Sequence, residues 1–345
     1  MENLLSYLDS NKICYKKSSD LLININNEDY FLVYPNKEGK IFNEDFHLIT
    51  SKDIDCDNYV FEFGGKWYWT PKGTEKEPQL NLVKYLGIVN HQFVDQQFPF
   101  LGVRGKYEIL NGSRLYGDWI KKAKFLDVSV LGICEKNTLA GTLSFQIMCQ
   151  DNNIKSILGA TFTINQNDYR YDTKFYVKNE TGWKNLLLIN KEINVINPGY
   201  IFEKDVAKYL DGLVVVLDPK SLKFEKIPSC FKSVYYQFDS VEYEQDTRDK
   251  EYLLNLQKYK ESTLEPITIM DAFYLDKEDA EIKSKLNQVS GVREYKARNQ
   301  YFKDIEDYYK EIENLFKDSD DLFVFLEIAI SNLFKVTESC SFIID

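Results

Sequence analysis

From about residue 96 onward, short apolar runs alternate with stretches of helical periodicity, and this alternation limits the folds open to the chain more than any other feature. VSVLGI (128–133) is nearly all apolar, as strands of a parallel sheet covered on both faces are. Before it, Tyr116 to Phe125 carries Trp119, Ile120 and Ala123 at helical spacing. After it, LAGTLSFQIMCQDNN (139–153) reads as an amphipathic helix and IKSILGATFTI (154–164) as the next strand. A helix around 181–192, a helix end and strand over 205–217, YYQFDSVEY, a helix near 246–259 and ITIMDAFYL (267–275) continue the pattern. The order predicts an α/β fold and suits a barrel. The last seventy residues read as helical: Ile305, Tyr308, Ile312, Leu315 and Phe316 share one face, and Asp320-Asp321 stands where a cap would open a helix from Leu322 towards Cys340.

Residues 1–95 have a different rhythm and read as a small β-rich domain. LLININ and DYFLVY are strand-like, and PNKEGK supplies turn residues after them. YVFEFGGKWYWT predicts a hairpin about Gly64-Gly65, because glycine reaches the positive φ that tight turns need. Phe61, Phe63, Trp67 and Trp69 form a stripe that suits either base stacking or the core of a small sheet. Little basic interleaving favours the core. TPKGTEKEPQ (70–79) reads as a linker or long loop.

The formal net charge of -11 disfavours general binding to a phosphate backbone, so nucleic-acid contact is not indicated and a protein partner fits better. Cys14, Cys56, Cys134, Cys149, Cys230 and Cys340 are widely spread with no CxxC pair, which predicts reduced thiols and a cytoplasmic protein. MENLLSYLDSNKICYKK lacks the pattern of a signal peptide, and no run approaches the length of a membrane span. Cys134 beside Glu135 lacks a motif-associated histidine to act as base, so packing is favoured over nucleophilic chemistry. NNIKSILG lacks the pattern of a phosphate loop.

Six ordered segments carry a family resemblance. PFLGVRGKYEILNGSRLYGDWIKKAKFLDVSVLGICEKNTLAG (99–141), FQIMCQDNNIKSILGATFTI (145–164), KFYVKNETGWKNLLLIN (174–190), DGLVVVLDP (211–219), ITIMDAFYLDKEDAEIKSKL (267–286) and the closing NQYFKD (299–304) with LEIAISNLFKVTESCSFIID (326–345) resemble the polymerase-and-histidinol-phosphatase (PHP) domain of the bacterial DNA polymerase III alpha subunit. The resemblance implies a distorted seven-stranded barrel over 96–290, with 291–345 as its helical C-terminal extension. It also implies divalent metals at the C-terminal ends of the strands and phosphate-ester hydrolysis in active members.

Against that pattern the ligands are mostly missing. The chain has two histidines, His47 and His91, and neither falls on a motif. Where the resembled first strand places histidines, this chain has Phe100, Gly102 and Arg104. The Asp-His pair after the second strand becomes Glu135-Lys136, and a later glutamate becomes Thr161. Two further ligand positions fall near Pro219 and Val241, and the final Asp-His becomes Asp271-Ala272-Phe273. Arg104, Glu135, Lys136 and Asp271 therefore mark a vestigial site. Glu135 and Asp271 are its weak metal candidates, with Arg104 and Lys136 expected to pair with them. No catalytic residue and no cofactor is assigned.

These observations favour a non-catalytic accessory module of DNA replication, partnered by a replicative DNA polymerase or a proofreading nuclease. The Asn- and Lys-rich composition suggests a phage or mobile element as source. Two other functions stay open. One is a metal-dependent phosphoesterase or 3′–5′ exonuclease with remodelled ligands, and the other a virion or other structural role for the same fold.

Overall fold

In the computed structural model the described residues run from 98 to 344, except 232–233, 241–245, 291–298 and 316–321. Before residue 98 they are 4–5, 8, 16–17, 19, 21–25, 28–34, 55–56, 58–63, 66–72 and 84–85. The chain divides into two compact units, residues 1–96 and 97–345.

The first unit holds a six-stranded sheet in chain order: β1 (Lys16–Lys17), β2 (Leu22–Ile25), β3 (Glu28–Leu32), β4 (Asn58–Phe63), β5 (Lys66–Pro71) and β6 (Lys84–Tyr85). β4 and β5 pair antiparallel from Asn58–Pro71 to Phe63–Lys66, so the two arms of the expected hairpin are present. Gly64-Gly65, PNKEGK, residues 73–79, both histidines and the side chains of Phe63, Trp67 and Trp69 lie outside the described residues. Thr70 and Pro71 belong to β5, not to a linker, because the ladder with β4 continues through them. Phe61 packs in a buried cluster with Val33, Cys56 and Tyr59, which places this member of the aromatic stripe in a core.

The second unit has two sheets. β7 (Phe100–Val103), β8 (Val130–Ile133) and β9 (Lys155–Ile157) form a parallel three-stranded sheet. β10 (Gly159–Gln166), β11 (Tyr169–Val177), β12 (Ile201–Phe202), β13 (Leu213–Leu217), β14 (Val234–Phe238) and β15 (Glu265–Thr268) form a mixed sheet in the order β12-β10-β11-β13-β14-β15. The simple strand–helix alternation breaks at residues 159–177. There β10 and β11 form an antiparallel hairpin around Asn167-Asp168, with Asn167 at φ 58°. Asparagine tolerates that left-handed conformation better than most residues, so the chain reverses without a crossover helix. Single parallel bridges, Val103–Ala272 and Lys136–Thr161, tie the two sheets together.

The helices cover these sheets along apolar stripes. Tyr116–Phe125 buries Tyr116, Trp119, Ile120 and Ala123, as its spacing predicts. Thr142–Gln150 is shorter than the amphipathic pattern and buries Phe145 and Cys149. Glu180–Lys191 begins at Asn179, whose side-chain oxygen accepts the Gly182 N–H at 3.0 Å and so satisfies an otherwise orphaned donor. Asp246–Lys260 and Ala280–Ser290 follow. Ile305–Leu315 buries Tyr308 and Ile312, and Leu322–Ser339 lies against β15, where Asn332 donates to the Pro266 carbonyl at 2.9 Å. Phe316 and Asp320-Asp321 lie outside the described residues. Among the described residues no helix is long and apolar enough to cross a membrane.

Candidate functional site

Parallel strands deliver the residues that follow them to one end of a sheet, and here that end collects charge. Arg104 follows β7, and Cys134-Glu135 follows β8. Asp218 and Lys220 follow β13, Asp239 follows β14, and Asp271 lies three residues beyond β15. Thr161, Lys174 and Gln237 project from β10, β11 and β14 into the same space.

Asp271 is the hub. Its Oδ1 accepts from Arg104 Nε at 3.2 Å and Nη2 at 3.1 Å. Its Oδ2 accepts from Lys220 Nζ at 2.6 Å, Lys174 Nζ at 3.1 Å and Gln237 Nε2 at 3.1 Å. Burial alone would raise the pKa of Asp271. Lys174, Lys220 and Arg104 overcome it and hold the carboxyl well below the usual carboxylate range. Arg104 continues the network through Nη1 to Glu108 Oε2 at 3.0 Å and Nη2 to Thr161 Oγ1 at 3.1 Å. Its guanidinium also stands 5.0 Å from the centre of the Phe273 ring. Burial lowers its pKa, but Glu108, Cys134 and Asp271 together raise it further, so its charge is secure.

The expected pairing of Lys136 with Glu135 or Asp271 does not form. Lys136 Nζ turns away to Asp172 Oδ2 at 2.7 Å, in a partly exposed pair. Only its backbone N–H reaches the centre, donating to Glu108 Oε2 at 2.9 Å. Glu135 pairs with neither cation. Its Oε1 accepts the Gly105 N–H at 3.0 Å and the Tyr116 hydroxyl at 2.8 Å, and its buried Oε2 has no hydrogen-bond partner. Burial pushes Glu135 up to about 7, against the lowering effect of the Tyr116 hydrogen bond. Of the four expected residues, the structure joins Arg104 to Asp271 and leaves Glu135 and Lys136 in separate contacts.

The sequence reading missed Lys174, Lys220, Gln237, Asp239, Asp218 and Glu108. Lys220 adjoins the Pro219 position and Asp239 stands two residues before Val241, so the strand-end positions were the available signal. Val241 lies outside the described residues. Cys134 is fully buried, with its thiol pushed up to about 11 by burial, which suits packing and not nucleophilic attack.

Divalent metal chemistry needs several lone pairs facing one vacant point. Here both Asp271 oxygens already face nitrogen donors, and Arg104 sets a permanent cation among them. At Gly102 even a Cβ would run into the Met270 carbonyl, so no imidazole fits where the resembled strand carries one. Among the described residues no group of three or more His, Cys, Asp or Glu side chains could hold a metal ion. The residues present do not fit the divalent metals that the resemblance implies. A cavity of about 310 Å³, lined among others by Tyr169, Lys220, Lys223, Tyr252 and Asn255, opens beside the centre.

The family model described as "PHP domain" matches residues 101–329. DNA polymerase III subunit alpha of Staphylococcus aureus (strain Mu50) is 25% identical over 187 residues, covering 54% of this chain and 16% of that protein. DNA polymerase III subunit alpha of Treponema pallidum is 24% identical over 131 residues, covering 34% of this chain and 11% of that protein. The matched region thus spans about one sixth or less of the length of these curated relatives. Among solved structures, an amidohydrolase from Chromobacterium violaceum with bound sulfate and no metal is similar at 7% identity and a TM-score of 0.34, covering 52% of this chain and 88% of that one.

Proposed function

The chain belongs to the PHP-domain family, and from that premise we propose that it is a non-catalytic PHP module that serves DNA replication through a protein partner. The observation that carries this reading is the buried ring of Arg104, Lys174 and Lys220 about Asp271, which sets side-chain cations where the family resemblance places metals. Such a cluster can stabilise a fold and present a surface, but it offers no metal-bound water for phosphate-ester hydrolysis. The relatives from Staphylococcus aureus and Treponema pallidum are DNA polymerase III alpha subunits. A replicative DNA polymerase or proofreading nuclease is accordingly the partner in this proposal. The net charge of -11 suits a protein contact better than a nucleic-acid one. Free cysteines at 56, 134, 149, 230 and 340 suit a cytoplasmic working place. The finer architecture belongs to the same reading: β7, β8, β10, β11, β13, β14 and β15 make a distorted seven-stranded barrel, supported by the bridges Val103–Ala272 and Lys136–Thr161.

Two measurements test it. Incubation with Mn²⁺, Zn²⁺ and Mg²⁺, desalting and elemental analysis should leave no retained metal, and stoichiometric retention would overturn the non-catalytic reading. Affinity purification of the tagged chain from its own cells should bring a replicative polymerase or nuclease with it. Recovery of neither would sink the partner assignment.

A further inference from the structure

We infer that the Lys220 ammonium is the resident cation of the strand-end centre, held jointly by Asp218, Asp239 and Asp271 in place of an ion from solution. Lys220 Nζ lies 2.6 Å from Asp271 Oδ2, 3.4 Å from Asp239 Oδ2 and 3.9 Å from Asp218 Oδ1. Those three carboxylates come from the ends of three neighbouring strands, β13, β14 and β15, and all three are buried. Buried anions so placed need a common counter-charge, or the sheet cannot keep them together.

The other two cations bind the hub differently. Arg104 takes the Oδ1 side of Asp271 and is shared with Glu108 and Thr161. Lys174 divides its ammonium between Gln237 Oε1 at 2.6 Å and Asp271, with Asp218 at 3.9 Å. Lys220 alone of the three pairs with all three carboxylates. A compact ammonium with three donors suits a point between carboxylates better than a planar guanidinium. The tether is itself fixed. Pro219 restricts the backbone between Asp218 and Lys220, and the Lys220 N–H donates to Asp218 Oδ1 at 3.0 Å. Lys220 also lines the cavity beside the centre, so a small amine has a route to the place its side chain would leave.

This inference rests on the reading of the centre as metal-free, yet the two fail separately. Metal retained by the wild-type chain overturns that reading, whereas the Lys220 assignment is judged by replacing the ammonium. The experiment is thermal unfolding of the full chain and of Lys220→Ala in methylammonium chloride, tetramethylammonium chloride and sodium chloride at equal ionic strength. The variant is expected to melt lower by roughly 6–12 °C. Methylammonium should recover part of that loss, the other two salts should not, and the wild type should be indifferent to the choice. An unchanged melting temperature, or equal recovery by all three salts, overturns the inference. If Lys220→Ala does not fold, the double variant Lys220→Ala/Asp239→Asn decides, because it neutralises the carboxylate whose paired ammonium was removed while Arg104 and Lys174 keep Asp271. Restored folding supports the shared counter-charge, and continued failure overturns it.

Discussion

Arg104 Nη2 lies 3.1 Å from Asp271 Oδ1 across 167 residues of sequence, and both side chains are almost completely buried. A pair so enclosed is costly to break from one side, since the remaining charge stays out of water. Arg104→Ala leaves Asp271 with one cation fewer and Glu108 Oε2 with the Lys136 N–H but without its charged donor. The expected loss of stability is about 3–5 kcal/mol, measured by urea unfolding. Lys136→Ala, made in the partly exposed pair with Asp172, should cost about 0–1 kcal/mol. Equal effects of the two substitutions would contradict the placement of Arg104 at the hub.

Asp271 makes the fold sensitive to acid. Its folded pKa is depressed, so its contribution is present above the unfolded value of about 3.9 and fades as pH falls towards the folded one. Asp271→Asn should therefore be less stable than wild type at neutral pH and should show a shallower loss below about pH 4. Parallel acid limbs for the two proteins would remove Asp271 as the cause.

Glu135 acts in the opposite sense. Its pKa is raised to about 7 in the folded chain, so the folded state keeps a proton that the unfolded state releases near pH 4.5. Its contribution is complete below pH 4.5 and is lost as pH rises through about 7. The shift corresponds to about 3 kcal/mol. Glu135→Gln, which keeps an acceptor for the Gly105 N–H and the Tyr116 hydroxyl, should flatten stability between those two pH values. A slope unchanged in the variant would assign the titration to another group.

Gly102 forbids a simple return to metal binding. Its carbonyl accepts the Ala272 N–H at 3.0 Å, and a Cβ at this position would meet the Met270 backbone. Gly102→Ala should cost about 3 kcal/mol through displaced backbone, read from the chemical-denaturation midpoint. Gly102→His/Arg104→His should retain no Mn²⁺ or Zn²⁺ after desalting. A metal-loaded double variant would show that β7 can separate from residues 270–272.

Residue types along the chain already determined much of this. The apolar run at 128–133 and the stripe of Trp119, Ile120 and Ala123 specify a covered strand and an amphipathic helix through local periodicity alone. Arg104 and Gly102 exclude two metal ligands by their chemistry, whatever fold they enter. Tertiary structure decided which charges meet. Lys174 and Lys220 are 97 and 51 residues from Asp271, and only the register of β11, β13, β14 and β15 brings them to it. Glu135 and Lys136, adjacent in sequence, separate for a local reason, and the tertiary fold supplies the partners each one meets. Neighbouring residues on extended backbone point to opposite sides, so one carboxyl is buried beneath Tyr116 while the next ammonium reaches out to Asp172.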